Sequence, residues 1–194
     1  MLRFRWTPIT LAMRRFILTG TPGAGKTALL RQLELDGFGV VEAAATDVIA
    51  LWQARGIMEA WRQPGFLEEI VELQRQRQIR SSRLPDAVQF HDRSAVCTAA
   101  LAEYLGLAIP DALAGELKRA NEESIFEKPV FFIRNLGVIT HTDARRITWD
   151  EALRFEGIHE DWYSRLGFEL IPVEAGTIEE RAAAIKGAVE RFAG

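Results

Sequence analysis

An eight-residue segment near the start of the chain, Gly20-Thr21-Pro22-Gly23-Ala24-Gly25-Lys26-Thr27, constrains the fold more than any other feature of the sequence. It matches the pattern G-x-x-x-x-G-K-[ST] at every fixed position, which is typical of a phosphate-binding loop, or P-loop, between a strand and a helix. The glycines let backbone N–H groups converge on phosphate oxygens, and the first turn of the helix adds a partial positive charge. We therefore predict a buried strand over 16–19, then this loop, then a helix over 26–35.

Two side chains of the loop carry the expected chemistry. The Lys26 ammonium is expected to reach the β- and γ-phosphates of a nucleotide, and the Thr27 hydroxyl to ligate Mg²⁺. The predicted nucleotide-binding residues are Gly20, Thr21, Pro22, Gly23, Ala24, Gly25, Lys26, Thr27 and Ala28. A chance glycine-rich turn is the alternative, but a chain of this length meets the motif by accident well under about one time in a hundred. The sequence has no Asn-Lys-x-Asp guanine reader, so ATP is favoured over GTP.

The rest of the chain alternates short apolar runs with helical patterns. The predicted strands are 16–19, 38–41, 87–92, 130–133 and 168–173. The predicted helices are 26–35, 43–54, 66–81, 94–104, 111–123, 148–166 and 177–192. This alternation indicates a parallel sheet covered by helices on both faces. Right-handed crossovers then bring the carboxyl ends of all strands to one edge, where such sheets bind ligands.

Length and composition limit the classes of partner. The 194 residues, 48% of them hydrophobic, suffice for one α/β domain with a full core. A net charge of −3 gives no general attraction to nucleic acid or to anionic membranes, and we expect neither as a partner. No apolar run approaches the roughly 20 residues of a membrane helix. The single cysteine, Cys97, excludes an internal disulfide and fits a reducing cytosol, so we expect a cytoplasmic protein, monomeric or homodimeric.

The first twelve residues do not fit the domain pattern. Met13 stands just before the first predicted strand, where a P-loop protein often begins. We therefore interpret 1–12 as a dispensable N-terminal extension or a wrongly assigned translation start, and 13–194 as the P-loop domain.

An acidic residue and an arginine follow the third predicted strand, in the triplet Asp92-Arg93-Ser94. An aspartate there either holds the Mg²⁺ shell or takes a proton from an acceptor hydroxyl. Arg93 would then stand beside the transferred or acceptor phosphates as a permanently charged clamp. The alternative is an aspartate that caps a helix, next to a solvated arginine. Ser94 is expected to cap the helix that follows.

Glu42 has a comparable position after the second predicted strand. It either contacts the substrate, binding ribose-like hydroxyls or acting as a base, or is a surface glutamate at the start of a helix. The neighbouring Asp47 is a lesser candidate.

The segment 140–146 follows the fourth predicted strand and carries Arg145 and Arg146. Adjacent arginines ahead of a helix suit a lid that closes over phosphates and excludes water. A solvated charged turn is the alternative. The segment 172–177, after the last strand, is the expected place for adenine contacts, mostly by backbone groups.

Two further patterns are interpreted without a catalytic role. Alternating charge over 74–78 is typical of a solvated helix face, although one glutamine or arginine there could contact substrate. His91, His141 and His159 lack metal-ligand spacing and are interpreted as structural or surface residues.

Taken together, these motifs resemble the NadR-type AAA domain family of small P-loop ATPases and kinases. The resemblance rests on 16–27, Glu42-Ala43, 90–94 and 142–146, and it covers most of the chain from Met13 to the last helix. Members are similar to nucleoside and nucleotide kinases, have a five-stranded parallel core, and include the ribosylnicotinamide kinase part of NadR. The resemblance implies an ATP-dependent phosphotransferase that acts on a small hydroxylated acceptor.

Within this resemblance, Asp92 and Arg93 match the Asp-Arg element of such kinases. The chain departs from AAA ring motors, because it lacks room for their helical lid domain and shows no clear sensor motifs. The nicotinamide riboside specificity of NadR does not transfer on the P-loop alone.

We therefore predict a kinase-like α/β P-loop NTPase fold, with three α/β/α layers and a five-stranded parallel sheet in the order 2-3-1-4-5. The predicted function is MgATP-dependent phosphoryl transfer to an unidentified small-molecule acceptor, with nucleosides and nucleotides as candidate acceptors. The predicted catalytic residues are Lys26, Asp92, Arg93, Arg145 and Arg146; the metal ligands are Thr27 and Asp92; the substrate contacts are Glu42 and Arg93.

Two alternatives belong to other classes of protein. A nucleotide-dependent regulatory ATPase or switch would bind a protein partner, hydrolyse slowly and need no acceptor. A nucleic-acid-processing NTPase is opposed by the net negative charge.

Overall fold

The computed structural model describes residues 13–20, 23–134 and 149–192. The strands are β1 (Arg14–Thr19), β2 (Gly39–Val41), β3 (Val88–Asp92), β4 (Pro129–Ile133) and β5 (Glu169–Val173). The helices are α1 (Lys26–Leu35), α2 (Ala44–Ala54), α3 (Phe66–Ser81), α4 (Ala95–Leu105), α5 (Asp111–Glu122), α6 (Trp149–Arg165) and α7 (Ile178–Arg191), with a 3₁₀ turn at Ala60–Arg62. The predicted extension 1–12 lies outside the described residues, and its separation from the domain stays a prediction.

The five strands form one parallel sheet in the order β2-β3-β1-β4-β5, which confirms the predicted topology. The carboxyl ends of β1 and β3 lie side by side, with Leu18 paired to Asp92. β2 ends beside β3, with Val41 paired to His91. The strand order therefore brings the P-loop, the Asp92 region and the residue after β2 to one edge of the sheet.

One face of the sheet is built on an aromatic cluster beneath α1 and α7. Phe16 packs against Phe90 and Phe131, with ring centroids 6.0 and 5.7 Å apart. Leu29 of α1 and Ile185 of α7 cover these rings and are fully buried. Each such side chain contributes about 1.5–3 kcal/mol of burial free energy. This packing fixes α1, and with it the loop that precedes α1, against the edge of the sheet.

The opposite face of the sheet is covered by α3, α4, α5 and α6. Ile17 and Val130 of the sheet pack with Val96 and Cys97 of α4 and with Tyr163 of α6. Because both faces are covered, the two central strands contain buried apolar residues in succession, over 16–18 in β1 and throughout β4. Among the described residues, no helix is long and apolar enough to cross a lipid bilayer.

Helix ends follow their capping signals. The Ser94 hydroxyl accepts a hydrogen bond from the Val96 N–H at 3.3 Å at the start of α4, which confirms the predicted cap. Thr177 and Glu180 form a reciprocal capping box at the start of α7, where the prediction placed that helix. Residue 148, the predicted start of the sixth helix, lies outside the described residues.

His91 of β3 lies in the core. The sequence allowed a structural or a surface position for this residue, and the structural one is observed. It is almost fully buried, and its ring packs edge-to-face on Phe126 at 5.0 Å. Its Nε2 atom has no hydrogen-bond partner in the described segments. Burial, together with the nearby charge of Arg15, lowers the pKa of His91 to about 3. The imidazole is therefore neutral in the folded protein near neutral pH.

We expect this histidine to make the protein less stable in mild acid. The unfolded chain binds a proton at His91 near its ordinary pKa of 6.5, whereas the folded chain does so only near pH 3. The His91 contribution is therefore complete above pH 6.5 and is lost as the pH falls toward 3, by about 2 kcal/mol at pH 5 relative to pH 7.5. Urea unfolding at both pH values measures it in the wild type and in His91→Leu. The variant should lose less stability on acidification, and equal losses would contradict the assignment.

Candidate phosphate-binding and acceptor site

The loop after β1 begins with a residue that must be glycine. Gly20 has φ 129°, and a Cβ atom built there would lie 2.3 Å from the Ile133 carbonyl oxygen of β4. Gly25 ends the described part of the loop with φ 81° in the left-handed region and precedes α1 directly. Both conformations are strained for any other residue type. The predicted Thr21 and Pro22 lie outside the described residues.

Lys26 is the first residue of α1 and lies across the loop. Its side chain is 7% exposed, and Nζ donates a hydrogen bond to the Gly20 carbonyl oxygen at 2.9 Å. Thr27 and Ala28, which follow in the same turn, are exposed. The ammonium group is therefore held at the loop, while the Thr27 side chain is accessible from outside the protein.

The N-terminus of α1 has no cap from its own N-cap residue. That residue is Gly25, which has no side chain, and the first turn of α1 contains no acidic residue. The first N–H groups of a helix have no partner within the helix and carry its partial positive charge. Together with Lys26, this end of α1 forms a compact positive region suited to an anion.

Asp92 ends β3 beside this region. Its side chain is buried, and Oδ1 has no hydrogen-bond partner among the residues that the structure describes. A buried carboxylate oxygen without a donor is unfavourable, so it marks a place for a cation or for a donated hydrogen bond. Ser94, not Asp92, caps α4, which removes the helix-capping alternative for Asp92.

Arg93 links β3, the P-loop and α6. Its backbone has φ 74°, a left-handed conformation, and its N–H donates to the Leu18 carbonyl oxygen at 2.9 Å. Nη2 donates to the Gly20 carbonyl oxygen at 3.1 Å, so this carbonyl accepts from both Arg93 and Lys26. The structure thus brings together two of the predicted catalytic cations.

His159 of α6 holds the other end of the Arg93 guanidinium. The ring is fully buried, its Nδ1 lies 2.8 Å from the Phe155 carbonyl oxygen, and its Nε2 lies 3.4 Å from Arg93 Nη1. Because a carbonyl oxygen only accepts, Nδ1 carries the proton and Nε2 accepts from Arg93. The sequence interpretation assigned no such role to His159, which lies 66 positions from Arg93.

A buried network of hydroxyl and thiol groups lies beneath this pair. The Cys97 thiol lies 3.2 Å from Thr19 Oγ1 and 3.1 Å from the Tyr163 hydroxyl. The Tyr163 hydroxyl also lies 3.0 Å from Ser94 Oγ. Burial raises the pKa of Tyr163 well above its usual value, so the phenol stays protonated. The network ties the ends of β1 and β3 to α4 and α6.

Glu42 lies after β2 on the rim of a pocket that reaches Asp92 and Arg93. Its exposed carboxylate pairs with Arg31 of α1. The pocket is partly open to solvent. The polar residues that line it include Glu42, Gln74, Arg77, Asp92, Arg93 and Ser94. Glu42 and Asp92 thus share one pocket, as their positions after β2 and β3 predicted.

The α3 face over 74–78 differs from the solvated face that its charge pattern indicated. Gln78 is buried, and Gln74 Oε1 accepts from the Thr98 hydroxyl at 3.0 Å. Arg77 donates to the Glu42 and Ala43 carbonyl oxygens at 3.1 and 2.9 Å and pairs with Asp47. The expectation was wrong for these positions because the segment after β2 contacts Arg77, while Thr98 of α4 bonds Gln74 and Arg119 of α5 bonds Gln78. A local charge pattern does not reveal such tertiary contacts.

Several predicted residues lie outside the described part of the chain. They are Thr21, Pro22, His141, the segment 140–146, and within it Arg145 and Arg146. The lid predicted there stays a prediction. In the described segments, no group of three or more His, Cys, Asp or Glu side chains could hold a metal ion by itself.

Comparison with known protein families gives one match over most of the chain. The model of a family described as an AAA domain matches residues 15–181. No curated protein matches the chain.

Solved structures with similar folds include kinases. A NadR protein in complex with NAD and AMP-PNP is 16% identical with a TM-score of 0.67, over 92% of this chain and 49% of that one. A deoxyadenosine kinase from M. mycoides is 12% identical with a TM-score of 0.62, over 91% and 99%. A thymidylate kinase from Ehrlichia chaffeensis is 14% identical with a TM-score of 0.57, over 92% and 99%. The chain thus spans about half of NadR. At these identities the likeness shows a kinase-like P-loop fold.

Proposed function

The chain belongs to the AAA domain family, and we propose that it is a MgATP-dependent phosphotransferase acting on a small hydroxylated acceptor of the nucleoside or nucleotide type. One observation supports this most directly. Lys26 and Arg93 converge on the Gly20 carbonyl at the start of α1. At the end of the neighbouring strand, Asp92 Oδ1 has no hydrogen-bond partner among the described residues. This arrangement combines an anion site with an acidic group on one edge of the sheet.

ATP is the proposed donor. A polyphosphate tail would accept hydrogen bonds from the backbone N–H groups at the start of α1 and from the Lys26 ammonium, which now rests on Gly20. The similar NadR structure contains AMP-PNP, and the similar deoxyadenosine kinase has been solved with dATP. The phosphate groups of the nucleotide would balance most of the positive charge at this end of α1.

The residues present fit a magnesium ion bound together with a nucleotide. Mg²⁺ prefers oxygen ligands, takes one or two from the protein and keeps several waters. The exposed Thr27 hydroxyl and the unpartnered Asp92 Oδ1 are such oxygens. When bound, the ion would neutralise charge that develops on the transferred phosphoryl group.

The acceptor would occupy the pocket between Glu42 and Asp92. Either carboxylate could take the proton from an acceptor hydroxyl, and Arg93 would stabilise the phosphoryl group in transfer. His159 holds Arg93 from the far side and so limits its rotation. Phosphoryl transfer requires mainly positioning and charge stabilisation, and these residues supply both.

A screen for the acceptor tests the proposed function. ADP release from MgATP should rise at least about tenfold above the acceptor-free rate with one class among nucleosides, nucleotides and other hydroxylated metabolites, because a positioned hydroxyl outcompetes water. The product should carry the γ-phosphate, as detected by mass spectrometry. Slow hydrolysis that no compound accelerates would contradict the kinase proposal and would favour the regulatory ATPase.

A further inference from the structure

A buried arginine lies behind the P-loop, away from the pocket. Arg181 of α7 is 2% exposed, although an arginine side chain is seldom so deeply buried. Its Nη2 donates to the Ala24 carbonyl oxygen of the P-loop at 3.0 Å and to the Arg134 carbonyl oxygen, after β4, at 3.4 Å. One guanidinium therefore joins α7, the P-loop and the end of β4.

Among the residues that the structure describes, Arg181 forms no ion pair with an acidic side chain. Within the described segments its hydrogen-bond partners are those two carbonyl oxygens, and its buried Nε and Nη1 have none. The nearby Glu180 is engaged in the capping box with Thr177. Burial lowers the pKa of Arg181, but an arginine keeps its charge in proteins. A buried cation without a counter-ion is costly, and a bound anion would offset that cost.

The hydrogen bond to Ala24 also fixes the orientation of the loop backbone. In a planar trans peptide the carbonyl of one residue and the N–H of the next point in opposite directions. Because the Ala24 carbonyl points toward Arg181, the N–H of Gly25 points away from it. Gly25 directly precedes α1, where the N–H groups form the proposed anion site.

We propose that Arg181 is a positioning residue for polyphosphate binding: it orients the Ala24–Gly25 peptide toward the phosphates and places a buried positive charge behind them. The inference rests on the proposed nucleotide binding but concerns the phosphate groups alone. Arg181 acts through the loop and not on the base, because its guanidinium is occluded and bonded to the P-loop backbone.

The experiment compares Arg181→Met and Arg181→Lys with the control Arg191→Met, which removes an exposed arginine from the same helix. Affinities for MgATP and for inorganic tripolyphosphate are measured by calorimetry, and the melting temperature of each free protein is recorded. Arg181→Met should weaken both ligands by a similar factor, about tenfold, which is the size expected for one charge-assisted hydrogen bond. Arg181→Lys keeps the charge and should recover part of that loss, and Arg191→Met should match the wild type.

Other results overturn the inference. Unchanged tripolyphosphate affinity in Arg181→Met would make Arg181 a packing residue, and a loss confined to MgATP would place its effect on the base. An Arg181→Lys variant no better than Arg181→Met would also reject a role for the charge. If Arg181→Met does not fold, the neutral variant Arg181→Gln replaces it: an unchanged tripolyphosphate affinity in Arg181→Gln rejects the inference, and a loss of about tenfold supports it. A wild type that binds neither ligand would instead reject the proposed function.

Discussion

Replacing Lys26 with methionine is expected to weaken MgATP binding by about 100-fold, since hydrogen bonds to charged groups contribute roughly 1.5–3 kcal/mol each and the ammonium would make more than one. Methionine preserves most of the volume of the buried stem, so the loop and α1 should keep their packing. The hydrogen bond that Nζ gives to Gly20 is lost, but that carbonyl retains the Arg93 donor. Equilibrium titration with a fluorescent ATP analogue measures the change.

The matched control is Lys186→Met on α7. Lys186 also forms an ion pair, with Asp36, but it lies on the surface. Surface pairs contribute little, so its nucleotide affinity should stay within about twofold of the wild type. If Lys26→Met bound MgATP as tightly as this control, the ammonium would have no part in nucleotide binding and the site would have to be assigned elsewhere.

The second large effect is expected at Asp92. Asparagine has nearly the same shape, but it neither accepts a proton at neutral pH nor carries the charge that holds Mg²⁺. Asp92→Asn should lower the turnover number by about 100- to 10,000-fold, the range typical of lost acid–base catalysis. Nucleotide affinity without Mg²⁺ should change much less, because Asp92 is not among the groups proposed to contact phosphate.

For Asp92→Asn, ADP release and nucleotide affinity are measured with and without Mg²⁺. The two measurements distinguish the loss of a base from the loss of a metal ligand. The control is Asp111→Asn, an exposed acidic residue in the first turn of α5 that should leave turnover unchanged. Turnover near the wild-type value in Asp92→Asn would reject Asp92 both as the base and as a metal ligand. Glu42 would then be the remaining candidate base.

Much of the fold followed from local patterns. The helices Lys26–Leu35 and Phe66–Ser81 have the predicted bounds, because the P-loop, Asp36-Gly37 and Gly65 give clear start and stop signals. The start of β1 was predicted too late, at Phe16. Arg14 and Arg15 extend the strand because they pair with Val88 and Gln89 of β3, a tertiary contact that their polar side chains do not indicate.

Part of the candidate site was also predictable from the sequence. The positions of Asp92 and Glu42 at one edge followed from the rule that parallel strands end together. His159 and Arg181 could not be found in this way, because their contacts with Arg93 and Ala24 span 66 and 157 positions of the chain. Nothing in the amphipathic patterns of α6 and α7 separates these two residues from other polar side chains.

We expect the loop and the start of α1 to bind the triphosphate of a purine nucleotide. Calorimetric titration of the wild-type chain with AMP-PNP in the presence of Mg²⁺ tests it most directly. We predict saturable binding at one site per chain, which tripolyphosphate competes away. A flat titration of correctly folded protein would contradict the account.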